Sequence, residues 1–395
     1  MANFRPFLRL SLLSALVLVS ACKKQEETKP GATPAPTSAA PKEKALKVGL
    51  VTDVGGRGDH SFNDSALRGL ELWGAGKKME GGSYKDATPE ELKETLQQDL
   101  STRNITPVNV TPVVLQSKVP EDYEPNLQLL VDQGVSLAIG VGFMLENAVE
   151  TVAKRNPDAK FLLIDSPVVS ADGKPYTLPN VRTVMYREEQ GSFLVGALAG
   201  LASKNNKVGF VGGVEVPLIK KFEAGFRAGV AATNPKATVL VNYTGSFDNV
   251  SAGKQVGQDL VNKGADIIYH AAGSDGLGVI QAVKEARAAN KPVFVIGVDS
   301  DQSHLAPEAV LTSMLKRVDL GVYEAVRDLS QGKLEGGDVM LGLKEGGVTY
   351  APVRVEFPGK AEALQKVEEL RAKIVSGEIQ VPTSPSQLPA APVKP

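Results

Sequence analysis

The sequence predicts an α/β protein of two lobes, and three observations carry that prediction. Between Leu46 and Pro382 short β-branched runs alternate with amphipathic stretches about 12 to 18 residues long, the pattern of strands joined by helical crossovers. That region, about 340 residues, exceeds what one hydrophobic core usually holds. It also repeats itself. Lys47-Val48-Gly49-Leu50-Val51 recurs as Lys207-Val208-Gly209-Phe210-Val211, and Leu130-Val131-Asp132-Gln133-Gly134 recurs as Leu260-Val261-Asn262-Lys263-Gly264.

The amino end carries an address. Arg5 and Arg9 precede the apolar run from Leu12 to Val19, which ends in the small residues Ser20 and Ala21 before Cys22. A positive start, an apolar segment too short to span a bilayer and small residues before a cut read as an export signal over residues 1–21. Val19-Ser20-Ala21-Cys22 resembles the bacterial lipobox, whose thiol is acylated and whose cysteine becomes the first residue of the mature chain. Several acyl chains, at about 0.8 kcal/mol per buried methylene, are enough for stable anchoring. The expected location is therefore a cell membrane, held by lipid at Cys22 and exposed to periplasm or cell exterior. Cys22 is the only cysteine, which excludes a disulfide, a thiolate metal site and a cysteine nucleophile.

Residues 22–45 change to Lys, Glu, Pro, Ala, Thr and Ser without periodicity and read as a tether with a root-mean-square reach of roughly 26 Å. The Pro-rich stretch 383–395 is expected to be disordered. Residues 45–393 carry 36 basic against 42 acidic side chains. A balance near −6 with no basic stripe argues against nucleic acid as a partner.

Strands are expected at 47–52, 113–116, 136–141, 161–165, 181–186, 207–211, 238–243, 266–271, 293–298 and 310–315. Several are apolar at nearly every position, as parallel strands buried on both faces are. The repeat offsets are 160 for the first pair and 130 for the second, so the amino-terminal lobe holds about 30 extra residues. The polar stretch at about 77–111 is the candidate insertion. It follows a helix and precedes a strand, which puts it away from the ligand-gathering carboxyl ends of the strands. The expected lobes are 46–180 completed by about 300–335, and 181–299 completed by about 336–382.

Chemistry concentrates in the loops after strands. Asp53-Val54-Gly55-Gly56-Arg57-Gly58-Asp59-His60-Ser61-Phe62-Asn63-Asp64 follows the first strand; Asp53 supplies a double acceptor and Ser61 a helix cap. Phe62 and Asn63 at a helix start suit a flat polar ring, although a core phenylalanine and a second cap would give the same letters. Phe222 occupies the matching place in the second lobe, equally compatible with core or site. Two rings from two lobes could sandwich one planar ligand, each face worth roughly 1 to 3 kcal/mol by analogy with base stacking. Gly273 lies in a glycine-rich turn opening a helix, where backbone amides face a ligand. Asp299 at a strand tip can accept from vicinal hydroxyls. Lys316 ends a strand as a cation, or as a solvated lysine.

Together these segments resemble the basic membrane lipoprotein family, whose characterised members are purine nucleoside receptors of ABC importers. The resemblance runs from about Lys47 to Val353 outside the insertion. It rests on Asp53 with Ser61-Phe62-Asn63-Asp64, Gly140-Val141-Gly142-Phe143, Arg187-Glu188-Glu189-Gln190, Gly212-Gly213 through Gly225, Gly297-Val298-Asp299-Ser300-Asp301, and Leu311-Thr312-Ser313 to Lys316. It implies a type I periplasmic binding protein: two Rossmann-like lobes, a hinge of three crossings and a central ligand cleft. It further implies that Phe62 and Phe222 sandwich a base, Asn63 meets its edge, and Asp53, Asp299, Lys316 and Gly273 hold the ribose. Family members usually have an acidic residue where this chain has Asn147, and an amide both donates and accepts. A monomer that passes a nucleoside to an ABC permease follows from the resemblance, with no cofactor and no catalysis. Two other classes share the architecture: a sensory or adhesive lipoprotein without transport, and a nucleoside-processing enzyme. His60, His270 and His304 do not form metal-ligand spacing, which disfavours the enzyme.

Overall fold

A computed structural model describes residues 45–94, 105–170 and 172–388. The expected export signal, Cys22, the tether as far as residue 44, part of the insertion (95–104) and residues 389–395 lie outside the described residues. In chain order the elements are β1 (Leu46–Thr52), α1 (Phe62–Leu67, continued by a π-helical stretch Arg68–Gly74), β2 (Lys77–Glu80), β3 (Ser83–Asp86), α2 (Pro89–Glu94), β4 (Val110–Gln116), α3 (Tyr123–Asp132), β5 (Leu137–Val141), α4 (Glu146–Arg155) and β6 (Phe161–Ile164). There follow β7 (Val168–Val169), β8 (Pro175–Tyr176), β9 (Val181–Tyr186), α5 (Glu188–Ala202), β10 (Lys207–Gly212), α6 (Pro217–Thr233), β11 (Thr238–Tyr243), α7 (Val250–Asn262) and β12 (Ile267–Ala271). The last are α8 (Asp275–Ala288), β13 (Phe294–Asp299), β14 (Val310–Lys316), α9 (Val318–Ser330), β15 (Gly337–Leu341), β16 (Val348–Tyr350) and α10 (Lys360–Val375).

All ten expected strands form, and together with β15 and β16 they make two six-stranded sheets ordered β15-β9-β6-β5-β1-β4 and β11-β10-β12-β13-β14-β16. Pairing is parallel throughout except for β16, which runs antiparallel to β14. The repeated sequence has a packing cause. At the middle of β1, a Cβ on Gly49 would lie 2.6 Å from the Leu130 side chain, and at the middle of β10 one on Gly209 would lie 2.9 Å from Leu260. In each lobe a helix leucine therefore presses onto a strand that has no side chain there, and Gly134 and Gly264, both at positive φ, turn the chain into the next strand.

The lobe boundaries differ from the sequence expectation. Val181–Tyr186 pairs with Phe161–Ile164 and so completes the first sheet, whereas the sequence assigned it to the second lobe. Val310–Lys316 pairs with Phe294–Asp299 in the second sheet, and Gly337–Leu341 pairs with Val181–Tyr186 in the first, against what was expected for these strands, whereas α9 packs on α1 in the first lobe and Val348–Tyr350 pairs in the second sheet, as expected for 300–335 and 336–382. The chain changes lobe only after finishing a strand: at Arg187, at Arg317 and between Leu341 and Val348. These crossings lie side by side, Arg187 N donating to Leu341 O at 3.0 Å and Arg317 N to Gly347 O at 2.8 Å. Two sheets and three adjacent crossings make this the type I periplasmic binding fold.

Helix α5, which carries the first crossing, packs on α6 with little space between backbones. A Cβ on Gly225 would sit 2.1 Å from Glu189 O, on Gly229 2.0 Å from Phe193 O, and on Gly196 2.3 Å from Phe226 O. The tail also departs from expectation. Ser384 caps a turn at Pro385–Gln387, and Gln387 Oε1 accepts from Thr383 N at 2.8 Å, so residues 383–388 are ordered against α6.

Candidate functional site

The first cleft loop is built around two carboxylates. Asp53 Oδ1 accepts from Gly55 N (2.8 Å) and Asn63 Nδ2 (2.7 Å). Asp59 caps α1: its Oδ2 accepts from Asn63 N (2.7 Å) and Asn63 Nδ2 (3.0 Å), and its Oδ1 from Ser61 N (2.9 Å) and Asp64 N (3.0 Å). Ser61 was the expected cap. It makes no capping bond, because two carboxylate oxygens already satisfy the helix start, and its hydroxyl instead crosses to Asp299 Oδ2 on the other lobe. Asn63 is buried with both N–H groups spent and its Oδ1 accepting from Asp53 N at 3.2 Å. One acceptor lone pair is left for a ligand.

A cleft of about 570 Å³, counted with its open mouth, lies between the lobes at the carboxyl ends of the strands, within the range of small-molecule pockets. Of the residues singled out in the sequence, Asp53, Phe62, Asn63, Phe222, Gly273, Asp299 and Lys316 line it. Ser61 stands behind, bonded to Asp299. Asn147 does not reach the cleft: it is exposed on the first turn of α4. The neighbouring Glu146 turns inward and accepts from Val169 N at 2.9 Å, and the 100° step of a helix swings Asn147 outward. Gly142 and Phe143 line the cleft from that loop instead. Phe222 serves both readings, since it is buried in the second lobe's core and also borders the cleft.

Sequence reasoning missed Asp59, Asp165, Phe143 and Phe247, all of which line the cleft. Asp165 carried the same signal as Asp53 and Asp299, an aspartate just past a buried parallel strand. Phe143 meets Phe247 edge-on from the opposite lobe, centroids 6.2 Å apart. No described residue of the insertion lines the cleft. It is nonetheless coupled to the cleft loop: Tyr84 of β3 donates to Glu71 Oε1 at 2.5 Å, and Glu71 takes both Arg57 nitrogens at 3.0 and 2.6 Å.

Lys316 is not the solvated lysine the sequence left open. It is 2% exposed, with Nζ 2.5 Å from Asp165 Oδ2 and 3.0 Å from Glu188 Oε1. The ammonium lies 5.4 Å from the ring centroids of both Phe62 and Phe222 and 5.3 Å from that of Tyr186, so the two cleft phenylalanines flank one cation from opposite lobes. Burial opposes its charge, but Asp165, Glu188 and Asp299 outweigh burial and hold its pKa above the ordinary lysine value. Burial raises two of the strand-tip aspartates. Asp53 is pushed up to about 6 against hydrogen bonds from Asn63 and Gly55, and Asp299 to about 7 against the pull of Lys316 and Ser61. Asp165 and Asp299 both hold left-handed backbone, φ 72° and 64°, as does His60 at 51°. Of these, Asp165 and Asp299 line the cleft, where the surrounding fold holds their unfavourable φ.

The lobes touch across this cleft. Besides Ser61–Asp299 and Lys316–Asp165, Gln302 Nε2 donates to His60 O at 3.2 Å and Arg68 Nη2 to Ser300 Oγ at 3.2 Å. Among the described residues no helix is long and apolar enough to cross a membrane.

The family model described as "ABC transporter substrate-binding protein PnrA-like" matches residues 46–385. The chain is 35% identical over 356 residues to the "CD4+ T-cell-stimulating antigen" of Listeria monocytogenes, covering 87% of this chain and 89% of the relative. It is 30% identical to the "ABC transporter nucleoside-binding protein BmpA" of Lactococcus lactis, covering 86% and 89%. Among solved structures, an ABC transporter solute-binding protein of Aeropyrum pernix superposes with TM-score 0.70 at 28% identity, covering 87% of this chain and 94% of that one.

Proposed function

Because the chain belongs to the PnrA-like family of ABC transporter substrate-binding proteins, we propose that it is a lipid-anchored receptor that captures a nucleoside, with purines preferred, and presents it to an ABC permease. The observation that carries this reading is the pair Phe62 and Phe222, contributed by opposite lobes to one cleft otherwise rimmed by strand-tip carboxylates. A base between the rings gains stacking on both faces. Asp53 and Asp299 each retain one carboxylate oxygen that accepts no hydrogen bond from the described residues, suited to ribose hydroxyls. Lys316 and the backbone of Gly273 complete the sugar contacts, and Asn63 offers one acceptor to the base edge. The relative from Lactococcus lactis, named for nucleoside binding, supports the ligand class. Asn147, exposed on α4, has no part in this assignment.

Ligand that touches both lobes stabilises the closed arrangement by its differential affinity for it, and the permease reads that state. Acylation at Cys22 keeps the receptor within a tether's length of the permease and raises their effective concentration. Calorimetry on the chain lacking residues 1–44, with nucleosides, free bases, sugars and amino acids, tests the ligand class. Phe62→Ala is the sharper variant, because Phe62 is only half-buried, and is expected to weaken nucleoside binding by about 1 to 3 kcal/mol with little loss of stability. Phe222→Ala should weaken binding and also lower stability by about 3 kcal/mol, since it opens the core. Binding of a sugar or amino acid with no response to any nucleoside would overturn the reading.

A further inference from the structure

The charge around Lys316 is arranged in an unusual way for a site that holds only one cation. Four carboxylates line the cleft, Asp53, Asp59, Asp165 and Asp299, against Lys316 as the single cationic side chain among the described lining residues. That cation is already committed. Asp165 holds it at 2.5 Å and Glu188, buried behind, at 3.0 Å, both with side chains under 5% exposed. Asp165 Oδ1 is itself buried without a hydrogen-bond partner, so among the described residues the Lys316 ammonium is the only donor to this carboxylate. A phosphate arriving here would meet no free cation and would add negative charge to a buried acidic rim.

We propose that Asp165 is a specificity-determining residue: by sequestering the Lys316 ammonium it makes the cleft accept uncharged polyhydroxyl ligands and reject their phosphate esters. This rests on the nucleoside reading above and adds a selectivity that the family assignment does not supply. The device is repulsive, since discrimination comes from what the wrong ligand lacks a partner for. Asp165 sits at its strand tip in left-handed backbone, which asparagine tolerates well, so Asp165→Asn removes the charge at constant shape and leaves Lys316 paired only with Glu188.

The test compares adenosine, guanosine and inosine with their 5′-O-methyl ethers and 5′-monophosphates by calorimetry at fixed ionic strength. For the unsubstituted protein the expected result is binding of nucleoside and ether, with the monophosphate at least about 100-fold weaker. For Asp165→Asn the preference for nucleoside over monophosphate should fall about ten-fold or more. A folded Asp165→Asn with an unchanged preference overturns the proposal. So does exclusion of the ethers as strong as that of the monophosphates, because size rather than charge would then explain selectivity; should Asp165→Asn fail to fold, Asp165→Gly, which suits the same left-handed backbone, is read by the same criterion. If the unsubstituted protein binds none of the nucleosides, the nucleoside reading fails first and the proposal falls with it, an outcome distinct from failure in the variant alone.

Discussion

Asp299→Asn should make the ligand-free protein more stable and the receptor worse, and the two effects can be separated by pH. Asp299 is buried and its pKa is pushed from 3.8 up to about 7, chiefly by desolvation, with Lys316 and Ser61 opposing. A carboxyl whose folded pKa lies above its unfolded value holds its proton more tightly when folded. Its contribution to stability is therefore complete below about 3.8 and is lost progressively as pH rises to about 7, after which it is flat. The interval is equivalent to about 4 kcal/mol at most, using about 1.4 kcal/mol per pKa unit. Asparagine at this position keeps the left-handed backbone (φ 64°) and can still accept from Ser61, but it cannot ionise. The measurement is urea unfolding of both proteins, without ligand, at intervals from pH 5 to 8. The variant should gain on the parent by about 2 to 3 kcal/mol between pH 5 and 7.5, while its nucleoside affinity at pH 8, where the parent carboxylate is ionised, falls about ten-fold or more from loss of a charged acceptor. A stability difference that does not change with pH, or one that moves in favour of the parent as pH rises, would refute the argument that the cleft stores an unfavourable buried charge.

Two further outcomes follow from the packing and the anchor. Gly225→Ala would force a Cβ to within 2.1 Å of Glu189 O. Prising α6 from the crossing helix should cost at least about 3 kcal/mol, seen as a lowered urea midpoint, and a midpoint equal to the parent's would mean that the helices are not held in contact. Cys22→Ser should move the protein from the membrane to the soluble fraction while the released chain binds ligand with unchanged affinity; weakened binding would show that the anchor contributes to the cleft.

Much of this molecule was legible from residue patterns because the signals are local. Runs such as Leu137–Val141, buried at every position, announce a central parallel strand by themselves. The tips of two such strands carried Asp53 and Asp299, and both line the cleft; Asp165 bore the same signal and was missed. Gly337–Leu341 and Val348–Tyr350 escaped notice, since the first has only its last residue buried and the second is three residues long. Residues 383–388 looked too rich in proline to order, yet Ser384 and Gln387 close a hydrogen-bonded turn there.

By itself the sequence determined the alternation of strands and helices, the doubled lobe and the places where chemistry gathers, because periodicity and a strand's terminal aspartate are properties of neighbouring residues. The tertiary structure alone decided which partner each group takes. Asp59 displaced Ser61 as the helix cap and left its hydroxyl to reach Asp299 from the other lobe. The helical turn at Glu146 sent Asn147 to solvent. The crossings assigned Val181–Tyr186, Val310–Lys316 and Gly337–Leu341 to sheets their sequence positions did not reveal. Lys316 became a buried, doubly held cation because Asp165 and Glu188, 151 and 128 residues away along the chain, converge on it only when the lobes are folded together. Competition among donors and acceptors is settled by distance in space, and a linear sequence does not contain that distance.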